Sequence, residues 1–156
     1  MSKIVFINPS MVKNLGTQVW KSSLVKIMKG GTNTFMPKLA AMILAALTPS
    51  KHSFSYIDDE IEKIEYDKID ADLVAITSMS VQANRAYLIA GEFRKKGNTV
   101  IIGGIHAAVM SKEVSAHCDA IMIGESENTW PALLEDFENG KLKKIYEAKD
   151  YHPAEK

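Results

Sequence analysis

The sequence holds a single cysteine, Cys118. One thiol excludes an internal disulfide, and it excludes an iron–sulfur cluster held by this chain's own cysteines. A lone cysteine is more often a small buried hydrophobe than a nucleophile, and Cys118 is assigned no chemistry. Net charge is also missing: 19 Lys and Arg balance 19 Asp and Glu. Without a positive field, nucleic acid is not expected as a partner. Long apolar runs are absent as well. The most apolar stretch, 39–47, is less than half of what a bilayer requires, so no membrane association is expected. The N-terminus reads as a strand, not as a signal segment, which leaves a cytoplasmic setting as the default. No G-x-x-x-x-G-K-[ST] phosphate loop, G-x-S-x-G elbow or G-x-G-x-x-G fingerprint occurs. No catalytic set emerges, and no metal site is expected, because His106 has no second ligand nearby in sequence.

What remains is a chain of 156 residues, 46% hydrophobic and 24% charged, enough for one globular domain with a sizeable core. Four runs rich in Val and Ile, at 3–8, 71–77, 99–103 and 119–124, are almost continuously apolar. Parallel strands covered on both faces have that pattern. A fifth run, 53–58, alternates through Phe54 and Tyr56 and suits an edge.

Helical periodicity lies between these runs. Pro37 opens one helix, with Leu39, Met42, Ile43, Ala46 and Leu47 on one face and Pro49 past its end. A second, 81–96, repeats Ala83, Ala86, Tyr87, Ala90 and Phe93, turns Arg85 outward and ends at Gly97. A third, 128–138, carries Trp130, Leu133, Leu134 and Phe137, with Pro131 in its first turn and Gly140 as its stop. A short helix after Ser111 fits before the last strand. The alternation predicts a doubly wound, flavodoxin-like α/β domain of three layers: a five-stranded parallel sheet of order 2-1-3-4-5 over residues 1–146, with 147–156 as a linker or tail.

Two connections are unusual. The 59–70 link has room for at most a short polar helix around Ile61 and Ile64. Residues 9–36 are too long for an ordinary loop. There Trp20, Leu24, Ile27 and Met28 recur at helical spacing before Gly30-Gly31. A lid, an interdomain contact and a decorative insertion all fit that insert.

Ligands of open parallel sheets bind at the carboxyl ends of the strands. Those ends are Asn8-Pro9-Ser10, Thr77-Ser78-Met79-Ser80, Gly103-Gly104-Ile105-His106 and Gly124-Glu125-Ser126-Glu127. Small residues allow close backbone approach, and hydroxyls and amides supply directional bonds. Singly each loop has a plainer use. Gly-Gly makes turns, Ser78 and Ser80 can cap the next helix, and Glu125 and Glu127 favour a helix dipole. Asp58-Asp59 is placed to contact a ribose, although acidic residues are common at strand ends. Together the loops define a binding edge more than a catalytic cluster.

These loops carry a resemblance. The run Ala71-Asp72-Leu73-Val74-Ala75-Ile76-Thr77-Ser78-Met79-Ser80-Val81-Gln82-Ala83-Asn84-Arg85-Ala86-Tyr87 resembles the N-terminal cobalamin (B12)-binding domain of the cobalamin-dependent radical S-adenosylmethionine enzymes. The likeness continues through Phe93-Arg94-Lys95-Lys96-Gly97, Gly103-Gly104-Ile105-His106 and Gly124-Glu125-Ser126-Glu127-Asn128-Thr129-Trp130-Pro131. It implies cobalamin as the ligand, with Pro9, Ser10, Thr77, Ser78, Met79, Ser80, Gln82, Gly103, Gly104, Ile105, His106, Gly124 and Glu125 around it. The Ser78–Ser80 loop and the Gly103–Gly104 turn would hold the nucleotide tail and the corrin edge. Glycines would suit a flat ligand that tolerates no side chain, and hydroxyls would donate to phosphate and ribose.

Two departures qualify the resemblance. Mutases and methionine synthase carry D-x-H-x-x-G after the first strand, whose histidine ligates cobalt. Here no histidine precedes His52, so the lower face would be unligated or bound by water. The C-x-x-x-C-x-x-C motif is absent too. The iron–sulfur cluster and S-adenosylmethionine would belong to a radical SAM catalytic domain absent from this chain, downstream or in trans. The implied role is methyl transfer or a radical rearrangement performed with that domain. The alternative is a cofactor-less protein-interaction or substrate-recruitment module of the same fold. A flavin-binding flavodoxin relative is disfavoured, because no Ser/Thr-rich phosphate loop follows the first strand.

Overall fold

The computed structural model describes residues 1–11 and 39–148. The helix expected within 9–36, the Pro37 helix start and most of the 147–156 tail lie outside them. In chain order the elements are β1 (Lys3–Asn8), α1 (Leu39–Leu47), β2 (Ser53–Asp58), β3 (Leu73–Thr77) and α2 (Ala83–Lys95). Then follow β4 (Thr99–Gly103), α3 (Ile105–Val109), α4 (Ser111–Val114), β5 (Ala120–Ile123), α5 (Ser126–Glu138) and β6 (Ile145–Glu147). All strand pairs are parallel, in the order β2-β1-β3-β4-β5-β6.

The predicted fold class and its 2-1-3-4-5 order are present, but the sheet has six strands where five were expected. The sixth has only three residues, with a single buried one, Tyr146, between exposed neighbours. That is too short for an apolar periodicity to show. Tyr146 anchors it: the phenol donates to Asp136 Oδ2 on α5 (2.9 Å) and accepts Lys143 N–H (2.9 Å).

Strand parity sorts the core into two layers. Val5 and Ile7 of β1, with Val74, Ile76, Val100, Ile102 and Ile121, face α2 and the short helices through Ala86, Ile89, Ala90, Phe93, Ala107 and Val114. Ile4, Phe6, Leu73, Ala75 and Ile101 point the other way, against Leu44 of α1 and Trp130, Leu133 and Leu134 of α5. Successive strand residues point to opposite faces, so a run apolar at every position fills both layers. Each fully buried Ile or Leu contributes about 1.5–3 kcal/mol. Trp130, also fully buried, donates Nε1–H to Thr48 Oγ1 (3.0 Å), which ties α5 to the end of α1.

Several details differ from expectation. On α1 the buried residues are Ala41 and Leu44, while Leu39 and Met42 are exposed. The helix is apolar all round, so its periodicity cannot select a face. The β2–β3 link forms no more than one polar 3₁₀ turn, as expected, but the turn lies at Tyr66–Lys68, past Ile61, which is exposed, and Ile64, which is buried. Two short helices, not one, precede β5. α5 begins at Ser126, so Pro131 lies inside the helix rather than in its first turn. Arg85, expected to face outward, is largely covered.

Candidate functional site

The carboxyl ends of β1, β2, β3, β4 and β5 share one edge because every strand is parallel. Side chains beneath that edge hold its loops together. Asp58 ends β2 opposite Asn8 and accepts Asn8 Nδ2–H at 3.0 Å, Tyr56 OH at 2.9 Å and the Glu60 N–H at 3.1 Å. Burial first, and then that carboxylate, push the Tyr56 phenol well above its ordinary pKa. Asp59, fully buried, takes a bidentate fork from Arg85 (2.7 and 2.9 Å) and the Ser10 N–H (3.1 Å). These acidic groups therefore serve the scaffold, which leaves the ribose contact expected of them without support. The Arg85 guanidinium is held more firmly protonated by its bond to Asp59.

Gln82 joins the first and third loops. Its Oε1 accepts the Met79 N–H (3.0 Å) and its amide donates to the Pro9 carbonyl. Both ends of this buried side chain are thus engaged within the protein. Ser78 is buried also, donating Oγ–H to the Met79 carbonyl (3.0 Å), while its backbone meets β4 and α3: Ser78 N–H to Gly103 O (2.9 Å) and His106 N–H to Ser78 O (3.0 Å).

The glycines answer to packing within the chain. Gly104 has φ +94°, and a Cβ there would sit 2.8 Å from Ser78 O and 2.9 Å from Ser78 N. Gly124, at φ +83°, would press a Cβ to 3.0 Å from Ala148 Cβ, and one on Gly103 would meet Met122 O at 3.4 Å. Thr77, opposite Gly103 in register, brings its Oγ1 to 3.0 Å from the same Gly104 position. Added side chains at these three positions would therefore meet Ser78, Thr77, Met122 and Ala148.

Outward, the edge offers a different set. Met11, Met79, Val81 and Ile105 are exposed at the ends of β1, β3 and β4, between 42% and 67% of full exposure. Ser80 stands among them, exposed. His106 is buried behind it, with Nδ1 3.2 Å from Ser80 Oγ and Nε2 2.8 Å from Tyr87 OH. Tyr87 also donates to Glu113 Oε1 (2.9 Å) and stacks on His117 at 3.8 Å. Burial and Glu113 push its phenol far above the ordinary value. Glu125 is exposed at the start of α5, where its carbonyl accepts Thr129 Oγ1–H (3.0 Å).

The structure thus brings the four expected loops to one edge. Ser80, Met79 and Ile105 are presented outward, while Ser10, Ser78, Gln82 and His106 stand behind them. Sequence reasoning missed Tyr87 and Glu113 as partners of His106, and Arg85 as the clamp on Asp59. The only available signal was that Tyr87 follows Ala83 by one helical turn, which reads as core. Among the described residues no group of three or more His, Cys, Asp or Glu is placed to hold a metal ion, and no helix is long and apolar enough to cross a membrane.

Apolar side chains exposed beside hydroxyl and backbone polar groups suit a large, flat ligand with a polar periphery. Fold and edge together define an α/β binding module. The chain belongs to the B12-binding domain family, whose model matches residues 25–134. The bacteriochlorophyllide d C-8(2)-methyltransferase of Chlorobaculum tepidum is 44% identical over 117 residues, covering 74% of this chain and 26% of that protein. The C-12(1)-methyltransferase of the same organism is 34% identical over 114 residues, 72% of this chain and 25% of that one. An uncharacterized methyltransferase of Synechocystis is 27% identical over 122 residues, 77% of this chain and 23% of its own length. The chain spans about a quarter of these relatives. A crystal structure of the N-terminal domain of a hypothetical protein from Thermotoga maritima covers 56% of this chain and 74% of that one, with TM-score 0.45 and 20% identity.

Proposed function

We propose that this chain binds cobalamin at the carboxyl edge of its sheet and serves a methyl transfer completed by a radical SAM catalytic domain lying outside it. Family membership supports the cofactor. Two relatives named as bacteriochlorophyllide methyltransferases support methyl transfer as the reaction class. The observation that carries the placement is the row of exposed Met79, Val81 and Ile105 flanking the Ser80 hydroxyl.

In this reading Met79, Val81 and Ile105 lie against the apolar faces of the ligand and exclude water there. Ser80 and the backbone groups of the Gly103–Gly104 turn meet its polar periphery. Gln82, Ser78 and the Asp59–Arg85 pair fix the loops from beneath. Cobalamin, when bound, supplies a carrier for the methyl group. No histidine stands in residues 9–36 to ligate cobalt in the way of the D-x-H-x-x-G proteins. His52 is remote, since its Nδ1 accepts the Ser2 N–H (3.2 Å) at the opposite edge of the sheet. The cobalt is therefore held without a histidine from the first loop. The iron–sulfur cluster and S-adenosylmethionine belong to the catalytic partner.

The test is retention. The purified chain is mixed with hydroxocobalamin, desalted and examined by visible absorbance. A corrin spectrum that elutes with the protein is expected. A colourless protein fraction would sink the cofactor assignment.

A further inference from the structure

Ser80 is exposed at the ligand edge, yet its hydroxyl is not a free rotor. A chain of three contacts reaches it from inside the protein. Glu113 Oε1 lies 2.9 Å from Tyr87 OH, Tyr87 OH lies 2.8 Å from His106 Nε2, and His106 Nδ1 lies 3.2 Å from Ser80 Oγ. With His106 taken as a neutral imidazole, the hydrogens along this chain can be assigned by elimination. An ionised carboxylate has lone pairs only, so the single phenolic hydrogen points to Glu113. The Tyr87 oxygen must then accept from His106, which puts the ring hydrogen of the neutral imidazole on Nε2. Nδ1 keeps a lone pair, and the hydrogen between it and Ser80 comes from the serine. The parts are also held in place. His106 is 5% exposed, its backbone N–H is fixed to the Ser78 carbonyl (3.0 Å), and Tyr87 stacks on His117 with an interplanar angle of 11°.

We propose that Tyr87, acting through His106, is a positioning residue that holds Ser80 as a hydrogen-bond acceptor at the ligand edge, so that Ser80 takes an amide N–H of the ligand and not a phosphate. The ligand half of this statement rests on the cobalamin reading. The rim of a corrin bears primary carboxamides, which supply such N–H groups, whereas its nucleotide tail supplies a phosphate that needs donors. With its own hydrogen turned inward to His106, Ser80 cannot serve the phosphate without breaking the chain. The polarity is thus opposite to the role the resemblance gave this hydroxyl. Tyr87 and Glu113 do not touch the ligand in this arrangement.

The first measurement needs no cofactor. In the full chain labelled with 15N-histidine, two-bond nitrogen–proton correlations separate the two neutral tautomers. His106 is expected as the Nε2–H form. Tyr87→Phe keeps the ring against His117 and removes the acceptor for that hydrogen, so the Nδ1–H form should gain population. A predominantly Nδ1–H ring in the unsubstituted chain overturns the proposal, and so does a tautomer ratio untouched by Tyr87→Phe.

The second measurement compares hydroxocobalamin with derivatives in which one side-chain carboxamide is hydrolysed to a carboxylate. One of these derivatives should bind about tenfold more weakly, the worth of one good hydrogen bond. That difference should shrink in Tyr87→Phe and in Ser80→Ala. An equal difference in all three proteins overturns the amide assignment. An Nε2–H tautomer in a chain that retains no cobalamin is a distinct result: it removes the ligand and the cofactor reading with it, and it upholds the hold of Tyr87 on Ser80.

Discussion

At the scale of single residues, the buried ionic contact decides most. Asp59 has no exposed side-chain surface, and Arg85 retains 20% of its own. Arg85→Met removes the cation from a desolvated carboxylate, a loss of about 3–5 kcal/mol in urea unfolding at neutral pH. A change within 1 kcal/mol would show that Asp59 is accommodated by its other partners. Sequence patterning put Arg85 on the solvent face because i, i+3 and i+4 spacing records helix faces, not the acidic loop that closes over one of them. Cys118 was the easier case. It is 1% exposed, donates to the Val114 carbonyl (3.3 Å), and burial pushes its thiol from 9.0 up to about 11. The unfolded chain ionises this group at lower pH than the native one. Its contribution is therefore complete below pH 9 and is lost as pH rises through 11. Denaturation midpoints should fall more steeply over that interval in the unsubstituted chain than in Cys118→Ala, and parallel profiles would contradict the assignment.

At the scale of elements, the strands were legible and the contacts between loops were not. Val5-Phe6-Ile7, Val74-Ala75-Ile76 and Val100-Ile101-Ile102 are apolar at every position, so burial on both faces is written into them. β6 escaped notice because it pairs with β5 over only three residues, of which Tyr146 alone is buried, and no apolar pattern can show over that length. The turn after β4 shows a related limit. Gly103-Gly104 was readable as a special turn, but what demands the glycine is Ser78, 26 positions upstream in sequence and adjacent in space. A comparison of two glycines tests that demand. Gly97 has φ +84°, and a Cβ added there would meet nothing within 4 Å, so Gly97→Ala should cost only the left-handed backbone term of about 1–2 kcal/mol. Gly104→Ala adds a collision with the Ser78 backbone to a backbone conformation, φ +94° and ψ −177°, that is essentially confined to glycine, so it should cost clearly more while also disturbing the β3 loop. Equal losses in urea titrations of the two variants would mean that the β3 and β4 loops yield to each other freely. For the same reason, failure of a Gly104 variant to retain cobalamin would not by itself locate the ligand.

At the scale of the molecule, the scaffold and the binding edge are separable, and that separation can be measured. The two core layers lie on the faces of the sheet, whereas Met79, Val81 and Ile105 sit on its carboxyl rim and are exposed. A ligand that binds only the native state raises stability by RT ln(1 + [L]/Kd), about 2.7 kcal/mol at a hundredfold excess over Kd. Hydroxocobalamin should therefore raise the melting temperature of the unsubstituted chain in a concentration-dependent way. Ile105→Asp places a charge on the rim without emptying any core position, because Ile105 is 67% exposed. Its unliganded melting temperature should stay close to that of the parent, while the shift with hydroxocobalamin collapses, because the charge would have to be desolvated against an apolar ligand face. A variant that melts normally and still shows the full shift would move the corrin away from the end of β4. A shift lost together with the unliganded fold would assign Ile105 to the scaffold instead.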